Sequence, residues 1–203
     1  MYKHFFKRLI DICIGLVALP FVLLIIIVLG PIIYFTDKGP VFYNANRAGK
    51  DYKPFKMFKL RSMYVNAPDI RNADGSTFNS DNDTRVTPIG RFMRKTSLDE
   101  FPQFLNILIG NMSFIGPRPK LYSSDKPLEG MDELRLKSYS VRPGVTGYAQ
   151  AYFRNSITNE EKFKWDGYYA ENVSFVMDVK IIFKTIKSVL FRENINTEQS
   201  YKK

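Results

Sequence analysis

"ICIGLVALPFVLLIIIVLGPIIYFT", residues 12–36, carries no charged side chain over 25 positions. A helix of about 20 mostly apolar residues suffices to cross a hydrocarbon core of about 30 Å, so this run is long enough to enter a bilayer. A secretory signal would share the basic start "MYKHFFKR", but the run is too long for one and no small-residue cleavage site follows. Pro20 interrupts the first half and Gly30-Pro31 the second. Proline removes a helical donor and crowds the preceding turn, so a straight, continuous helix is not expected. Lys3, Lys7 and Arg8 precede the run, and Lys38, Arg47 and Lys50 follow it, which draws both flanks toward the cytoplasm. A re-entrant helix broken at Pro20 satisfies both flanks, while a kinked single span remains open on the residues alone.

From this segment the rest of the chain follows. The predicted fold class is α+β, mostly helical: a monotopic membrane protein with an N-terminal re-entrant helix broken at a proline, a short β-hairpin and interfacial amphipathic helices. The boundaries are a membrane helix over residues 1–36, a cytosolic catalytic domain over 37–191 and a flexible tail over 192–203. The hairpin comes from "PVFYNANRAGKDYKPFKMFKLRSM", residues 40–63, which alternates apolar and polar side chains around Gly49-Lys50-Asp51. Residues 64–84, rich in Asn, Asp, Ser and Gly, read as a long surface loop. Its "DND", residues 81–83, lacks the full twelve-residue pattern of a calcium loop. Phe101, Phe104, Leu105 and Leu108 fall at helical spacing with Gly110 as a stop, and "MSFI" predicts a brief strand. Phe175, Val176, Val179, Ile182, Phe183, Ile186, Val189 and Leu190 mark an amphipathic helix, either packed on a core or lying at a membrane interface.

Composition narrows the chemistry. Thirty Lys and Arg against 20 Asp and Glu leave a net charge of +10, which suits phosphate-rich partners without choosing among them. No nucleic-acid motif is present, because the basic residues gather in Pro/Gly turns beside carboxylates rather than along a helix. Cys13 is the single cysteine and His4 the single histidine, so disulfide, thiolate-metal and Ser-His chemistry have nothing to work with. A catalyst here must be built from carboxylates, cations and hydroxyls.

"TSLDEFPQ", residues 96–103, offers that material. Ser97 with Glu100 reads as a capping box, although Pro102 favours a helix starting near Asp99. Neighbouring side chains on a helix diverge by about 100°, so Asp99 and Glu100 are expected to hold separate tasks: one as nucleophile toward phosphorus, the other on a hard cation. Arg94, five residues ahead, can fork onto a phosphate. Lys59 and Arg61 share one face if their segment is a strand. In "GPRP", Pro117 and Pro119 restrict the backbone and so display Arg118. "RPGVTGYAQ" repeats the device with Arg142, and Gly144 allows backbone to approach a ligand.

"KRLIDI", "FKMFKLRSM", "RKTSLDEFPQFLNILIGNMSFIGPRP" and "VRPGVTGYAQ", in this order over residues 1–190, resemble the bacterial sugar transferase family, the small monotopic phosphoglycosyl transferases. The resemblance implies transfer of a phospho-sugar from a UDP-sugar to polyprenyl (undecaprenyl) phosphate, with release of UMP. It further implies Mg2+ as cofactor, a covalent enzyme intermediate, and a place on the cytoplasmic face of the bacterial inner membrane. Asp99 matches the nucleophile, Glu100 its magnesium-binding neighbour, Arg94 an arginine at the lipid phosphate, Arg118 the Pro-Arg-Pro motif near the nucleotide and Pro20 the helix-breaking proline. The chain departs from the pattern at "QAYFRN", where Phe153 replaces a glycine, and in the length of the 64–84 loop. The PglC-like layout favours an N-acetylated aminosugar, with a hexose such as galactose as the alternative. A membrane-tethered basic scaffold is the non-enzymatic alternative, and a homodimer is left open.

Overall fold

The computed structural model describes residues 1–70, 80, 82–124, 131–154 and 156–190, with side chains described through residue 188. The tail expected over 192–203, residue 81 of "DND" and Asn155 of "QAYFRN" lie outside the described residues. The chain divides into two compact units: Met1–Leu16, Asn46–Lys56 and the chain from Asn106 onward form the first, Val17–Ala45 and Met57–Leu105 the second.

A π-helical turn, Tyr2–Phe6, leads into α1, Lys7–Asp37. Helix α1 is continuous through both Pro20 and Pro31, so the expected break at Pro20 does not interrupt the helix. A proline deletes one i→i−4 bond, and the intact bonds on either side can keep the backbone helical. Among the described residues, Tyr2–Asp37 is the one helical run long and apolar enough to cross a membrane. Part of its apolar surface stays outward, with Val17, Phe21, Leu24, Ile27 and Phe35 exposed, while Val22, Leu29 and Ile33 are buried.

In the first unit the predicted hairpin forms. Strands β1, Ala45–Ala48, and β2, Pro54–Met57, flank a 3-10 turn over Lys50–Tyr52 in which Asp51 takes φ 55°. Strand β4, Lys120–Leu121, joins the other side of β1, giving the order β2-β1-β4 with Arg47 opposite Leu121 in antiparallel register. The strand predicted from "MSFI" is β3, Ser113–Ile115, which pairs in parallel with β5, Gly144–Thr146. Helix α4, Glu133–Tyr139, packs on α6, Asn159–Glu171, and α5, Tyr148–Tyr152, on α7, Phe175–Leu190. Ile115, Ala151, Tyr169 and Ile181 make the buried core. Thr158 and Glu161 close a capping box at the start of α6, satisfying donors that the first turn leaves unpaired.

Helix α7 packs Ile181, with Met177 and Ile182 partly buried, onto the core and still leaves large apolar side chains outside. Its buried face carries Asp178, Ile181 and Ser188, while Phe175, Val176, Phe183 and Ile186 are exposed. The buried carboxylate is saturated. Asp178 accepts from Tyr2 Oη at 2.6 Å, Lys7 Nζ at 2.8 Å and Tyr169 Oη at 2.8 Å. The start of α1 is also fixed by Asp11, whose Oδ1 accepts from Phe114 N at 2.8 Å and Ser113 Oγ at 3.0 Å.

The second unit is built on Leu29 and Ile33 of α1, Leu60, and Met93 of α2, Pro88–Thr96. Thr87 caps α2 by accepting from Gly90 N at 2.9 Å, and Pro88 takes a first-turn position where no donor is needed. The segment Lys59–Ser62 runs extended through the middle of this unit. Tyr43 N donates to Lys59 O at 2.8 Å, Arg61 N to Val41 O at 2.9 Å and Thr87 N to Ser62 O at 3.1 Å.

Candidate functional site

Helix α2 stops at Ser97, which adopts the left-handed conformation at φ 58° and donates its N–H back to Arg94 O. A 3-10 turn, Leu98–Glu100, follows, and α3 begins only at Gln103, ending at Ile109 before Gly110 at φ 101°. The expected capping box at Ser97 is therefore absent, since its side chain makes no cap bond, and the acidic pair lies in the first turn of a short 3-10 helix ahead of α3. Pro102, which lacks a donor, sits in the gap between the two elements.

This turn places Asp99 almost wholly out of solvent, at 2% exposure. Its backbone is fixed to the extended segment, since Leu60 N donates to Asp99 O at 2.9 Å. Lys59, the preceding residue of that segment, puts Nζ 2.9 Å from Asp99 Oδ2 and 3.3 Å from Glu100 Oε1. The two carboxylates thus share one ammonium, where divergent directions were expected. Apart from this ion pair with Lys59, Asp99 Oδ2 has no hydrogen-bond partner among the described residues. A buried carboxylate oxygen contacted by charge and left without a directional bond is uncommon, since buried polar atoms are nearly always paired.

Arg94 completes the cluster. Its Nε donates to Ser62 Oγ at 2.9 Å, which fixes the plane of the guanidinium. Burial pulls its pKa down, the charges of Asp99 and Asp83 push it back up, and it remains a cation. Ser62 is a functional-site candidate that the sequence concealed, because a lone serine in an alternating strand gives no signal until its partner is seen. Arg61, read as a ligand-binding residue, is engaged elsewhere. It donates Nε to Pro40 O at 2.5 Å, Nη1 to Asp37 Oδ2 at 2.7 Å and Met63 O at 2.9 Å, and Nη2 to Asp37 Oδ1 at 2.6 Å and Ile33 O at 3.3 Å. Five donors meet five acceptors, which leaves none for a phosphate.

The remaining predicted residues belong to the first unit. Pro117 is buried and Arg118 exposed, and both line a cleft with Lys120, Tyr139 and Asp166. Burial lifts the Asp166 carboxyl to about 7 against the opposing charges of Lys120 and Lys162, and lowers Lys120. Pro119 follows Arg118 and is half-buried. Arg142 donates Nε to Gly110 O at 2.8 Å, so it ties down the end of α3. Gly144 has no room for a side chain because the backbone of Gly116 runs against it, so the close approach expected there is to another strand of chain, not to a ligand.

The magnesium implied by the resemblance can be tested against the donors. Among the described residues no three or more His, Cys, Asp or Glu side chains gather into a cage. Asp99 Oδ2 and Glu100 Oε1 do converge on a single cation, Lys59 Nζ, and Oδ2 has directional capacity unused. Two hard carboxylate oxygens suit Mg2+, which takes one or two protein carboxylates and completes its shell with water and substrate phosphate. The residues fit.

The carboxylate pair, Lys59 and Arg94 thus form one charged cluster in the second unit, which also holds the later part of the long apolar helix α1. The model of the family described as bacterial sugar transferase matches residues 2–192, and the chain belongs to that family. It is similar to the UDP-glucose:undecaprenyl-phosphate glucose-1-phosphate transferase of Klebsiella pneumoniae, 38% identical over 186 residues, which are 89% of this chain and 39% of the relative. The UDP-N-acetylgalactosamine-undecaprenyl-phosphate N-acetylgalactosaminephosphotransferase of Aeromonas hydrophila is 36% identical over 189 residues, 92% of this chain and 44% of the relative. An uncharacterized sugar transferase of Bacillus subtilis, EpsL, is 37% identical over 189 residues, 93% of this chain and 89% of the relative. The chain spans less than half the length of the first two.

Proposed function

We propose that this chain transfers a phospho-sugar from a UDP-sugar to polyprenyl phosphate, giving polyprenyl-diphosphate-sugar and UMP and starting a membrane-bound glycan. The observation that carries the reading is the Asp99 carboxylate, buried, charge-contacted by Lys59 and, among the described residues, without a further partner at Oδ2. An oxygen in that state is available to a phosphorus atom. Asp99 attacks the sugar-bearing phosphorus, the diphosphate P–O bond breaks, and UMP leaves with the bonding pair. An oxygen of polyprenyl phosphate then attacks the same phosphorus and the Asp99 carboxylate is released. The acceptor is already an anion, so no histidine base is needed, in keeping with a chain whose one histidine is His4.

Lys59 and Arg94 offset the negative charge that gathers around phosphorus, and Ser62 keeps Arg94 oriented. Bound Mg2+ would be held by Glu100 and Asp99 and would neutralise the diphosphate. Arg118 and its proline neighbours serve the nucleotide, as the family motif suggests. Arg61 supports the site from behind and makes no ligand contact.

Membrane attachment is supported by the outward apolar side chains of α1 and by α7, whose exposed face holds Phe175, Val176, Phe183 and Ile186. The cations on both flanks of the apolar run support a re-entrant helix and a site at the cytoplasmic face of the inner membrane. Cysteine labelling from each side of sealed vesicles checks this, and flanks found on opposite sides would replace re-entry with a span. For the donor, the names of relatives include glucose, N-acetylgalactosamine and galactose, and the PglC-like layout favours an N-acetylated aminosugar with a hexose second. A panel of UDP-sugars assayed with undecaprenyl phosphate and Mg2+ decides it. Release of UMP with one donor supports the reading, and release with none overturns it.

A further inference from the structure

We infer that Arg61, gripping Asp37 at the end of α1, is a positioning residue that holds Lys59 against Asp99 and Glu100. The inference rests on the reading of the carboxylate site given above and adds a part that site does not itself contain.

Each residue of the Lys59–Ser62 segment has a different client. Lys59 reaches the two carboxylates, Leu60 is fully buried and donates its backbone N–H to Asp99 O, Arg61 reaches back to α1, and Ser62 orients Arg94. Arg61 has all five guanidinium donors engaged. Its fork closes on both oxygens of Asp37 and adds the carbonyls of Ile33, Pro40 and Met63. Asp37 is equally filled, accepting also from Val65 N at 2.8 Å and Gly39 N at 3.3 Å. Gly39 fits only because it lacks a side chain, since an added carbon would strike Val65 and press on the Arg61 guanidinium.

The clamp therefore fastens the segment at Arg61, and the chain just beyond it at Met63 and Val65, to the end of α1 and to Pro40. Tyr43 N donates to Lys59 O and Leu60 N to Asp99 O, so the backbone there has its own anchors. Arg61 lies two residues from Lys59 on an extended chain of about 3.3 Å per residue and adds the side-chain anchor that keeps this stretch aligned under the ammonium. Its contact with Asp99 Oδ2 is 2.9 Å, and a shift of about 1 Å at such a site costs up to roughly 100-fold in rate. A phosphate ligand for Arg61 is the competing role, and the saturation of its five donors speaks against it.

The test compares full-length wild type, Asp37→Asn and Arg61→Gln in detergent, each checked for folding by circular dichroism. Asp37→Asn is isosteric and carries the test alone if Arg61→Gln does not fold. Two readouts are taken: the kcat and KM for the UDP-sugar found active, and the rate at which an amine-acylating reagent labels Lys59, followed by peptide mass spectrometry. Loosening the clamp is expected to lower kcat by about 10- to 100-fold with KM within about twofold, and to raise Lys59 labelling several-fold. The double variant loses no more than the worse single variant, because both remove one clamp. A raised KM with kcat kept would make Arg61 a ligand contact and overturn the inference, as would unchanged Lys59 labelling. Faster labelling in a protein whose wild type transfers nothing would sink the transferase reading and leave the coupling of Arg61 to Lys59 standing.

Discussion

Asp99 and Asp178 are both buried aspartates beside a lysine, and they are treated in opposite ways. Asp178 receives a lysine and two tyrosine hydroxyls, so both of its oxygens are occupied. Asp99 receives a lysine at ion-pair distance and leaves Oδ2 without a directional bond. Burial costs a carboxylate its hydration, and the usual remedy is the one seen at Asp178. The first unit uses its aspartate to fasten the start of α1 to α7. The second leaves its aspartate with Lys59 alone at Oδ2 among the described residues, as the proposed role of Asp99 in attacking phosphorus requires. A carboxylate that is buried and not saturated is the stronger mark of function, and burial alone is not.

The comparison can be broken by substitution. Asp99→Asn is expected to lower UMP release by about 1,000-fold or more while the melting temperature stays near that of wild type. Asp178→Ala should do the reverse: with Lys7 stranded in a largely buried place, stability falls by about 3 kcal/mol in chemical denaturation, and activity per folded molecule is kept. If the two variants traded outcomes, the distinction between the regions would be lost. Next in size, Arg94→Ala should cost about 100-fold in kcat, and Arg94→Lys should recover only part of it because an ammonium lacks the fork held by Ser62.

The smallest effect is a change of slope. Asp166 is a third kind of buried aspartate, with its carboxyl raised to about 7 by burial. A group whose folded pKa lies above its unfolded value stabilises fully below the unfolded pKa and loses that contribution as pH rises to the folded one. Stability from this group should therefore decline between about pH 4 and pH 7, and Asp166→Asn should flatten that decline and leave the variant the more stable protein at pH 8. Melting curves at pH 5 and pH 8 check it.

Much of this was legible in the chain. The apolar run, the hairpin around Gly49, the strand at "MSFI", the stop at Gly110 and α7 all come from local patterns, and each is present. Asp99, Glu100, Lys59 and Arg94 were readable as candidates from the sequence, and the structure brings the lysine onto the two carboxylates. Long-range partnerships were not legible. Nothing near Arg61 announces that Asp37, 24 positions earlier, takes its fork, and nothing near Arg142 or Gly144 points to Gly110 or Gly116. The turn at Asp99 was misjudged because a left-handed serine at position 97 obeys packing instead of local preference, which favours glycine there. The burial of Asp178 beside Ile181 on the covered side of α7 was likewise hidden, since periodicity shows that a helix has two faces and not which one is covered.

The central claim is that Asp99 bonds to phosphorus. Purified enzyme is incubated with its UDP-sugar and Mg2+ but no polyprenyl phosphate, then quenched and measured by intact and peptide mass spectrometry. The account predicts a mass gain of one sugar-phosphate on the peptide bearing Asp99, absent in Asp99→Asn and discharged by added undecaprenyl phosphate. Rapid transfer to the lipid by an enzyme that never carries that mass, or an adduct that persists in Asp99→Asn, would contradict it.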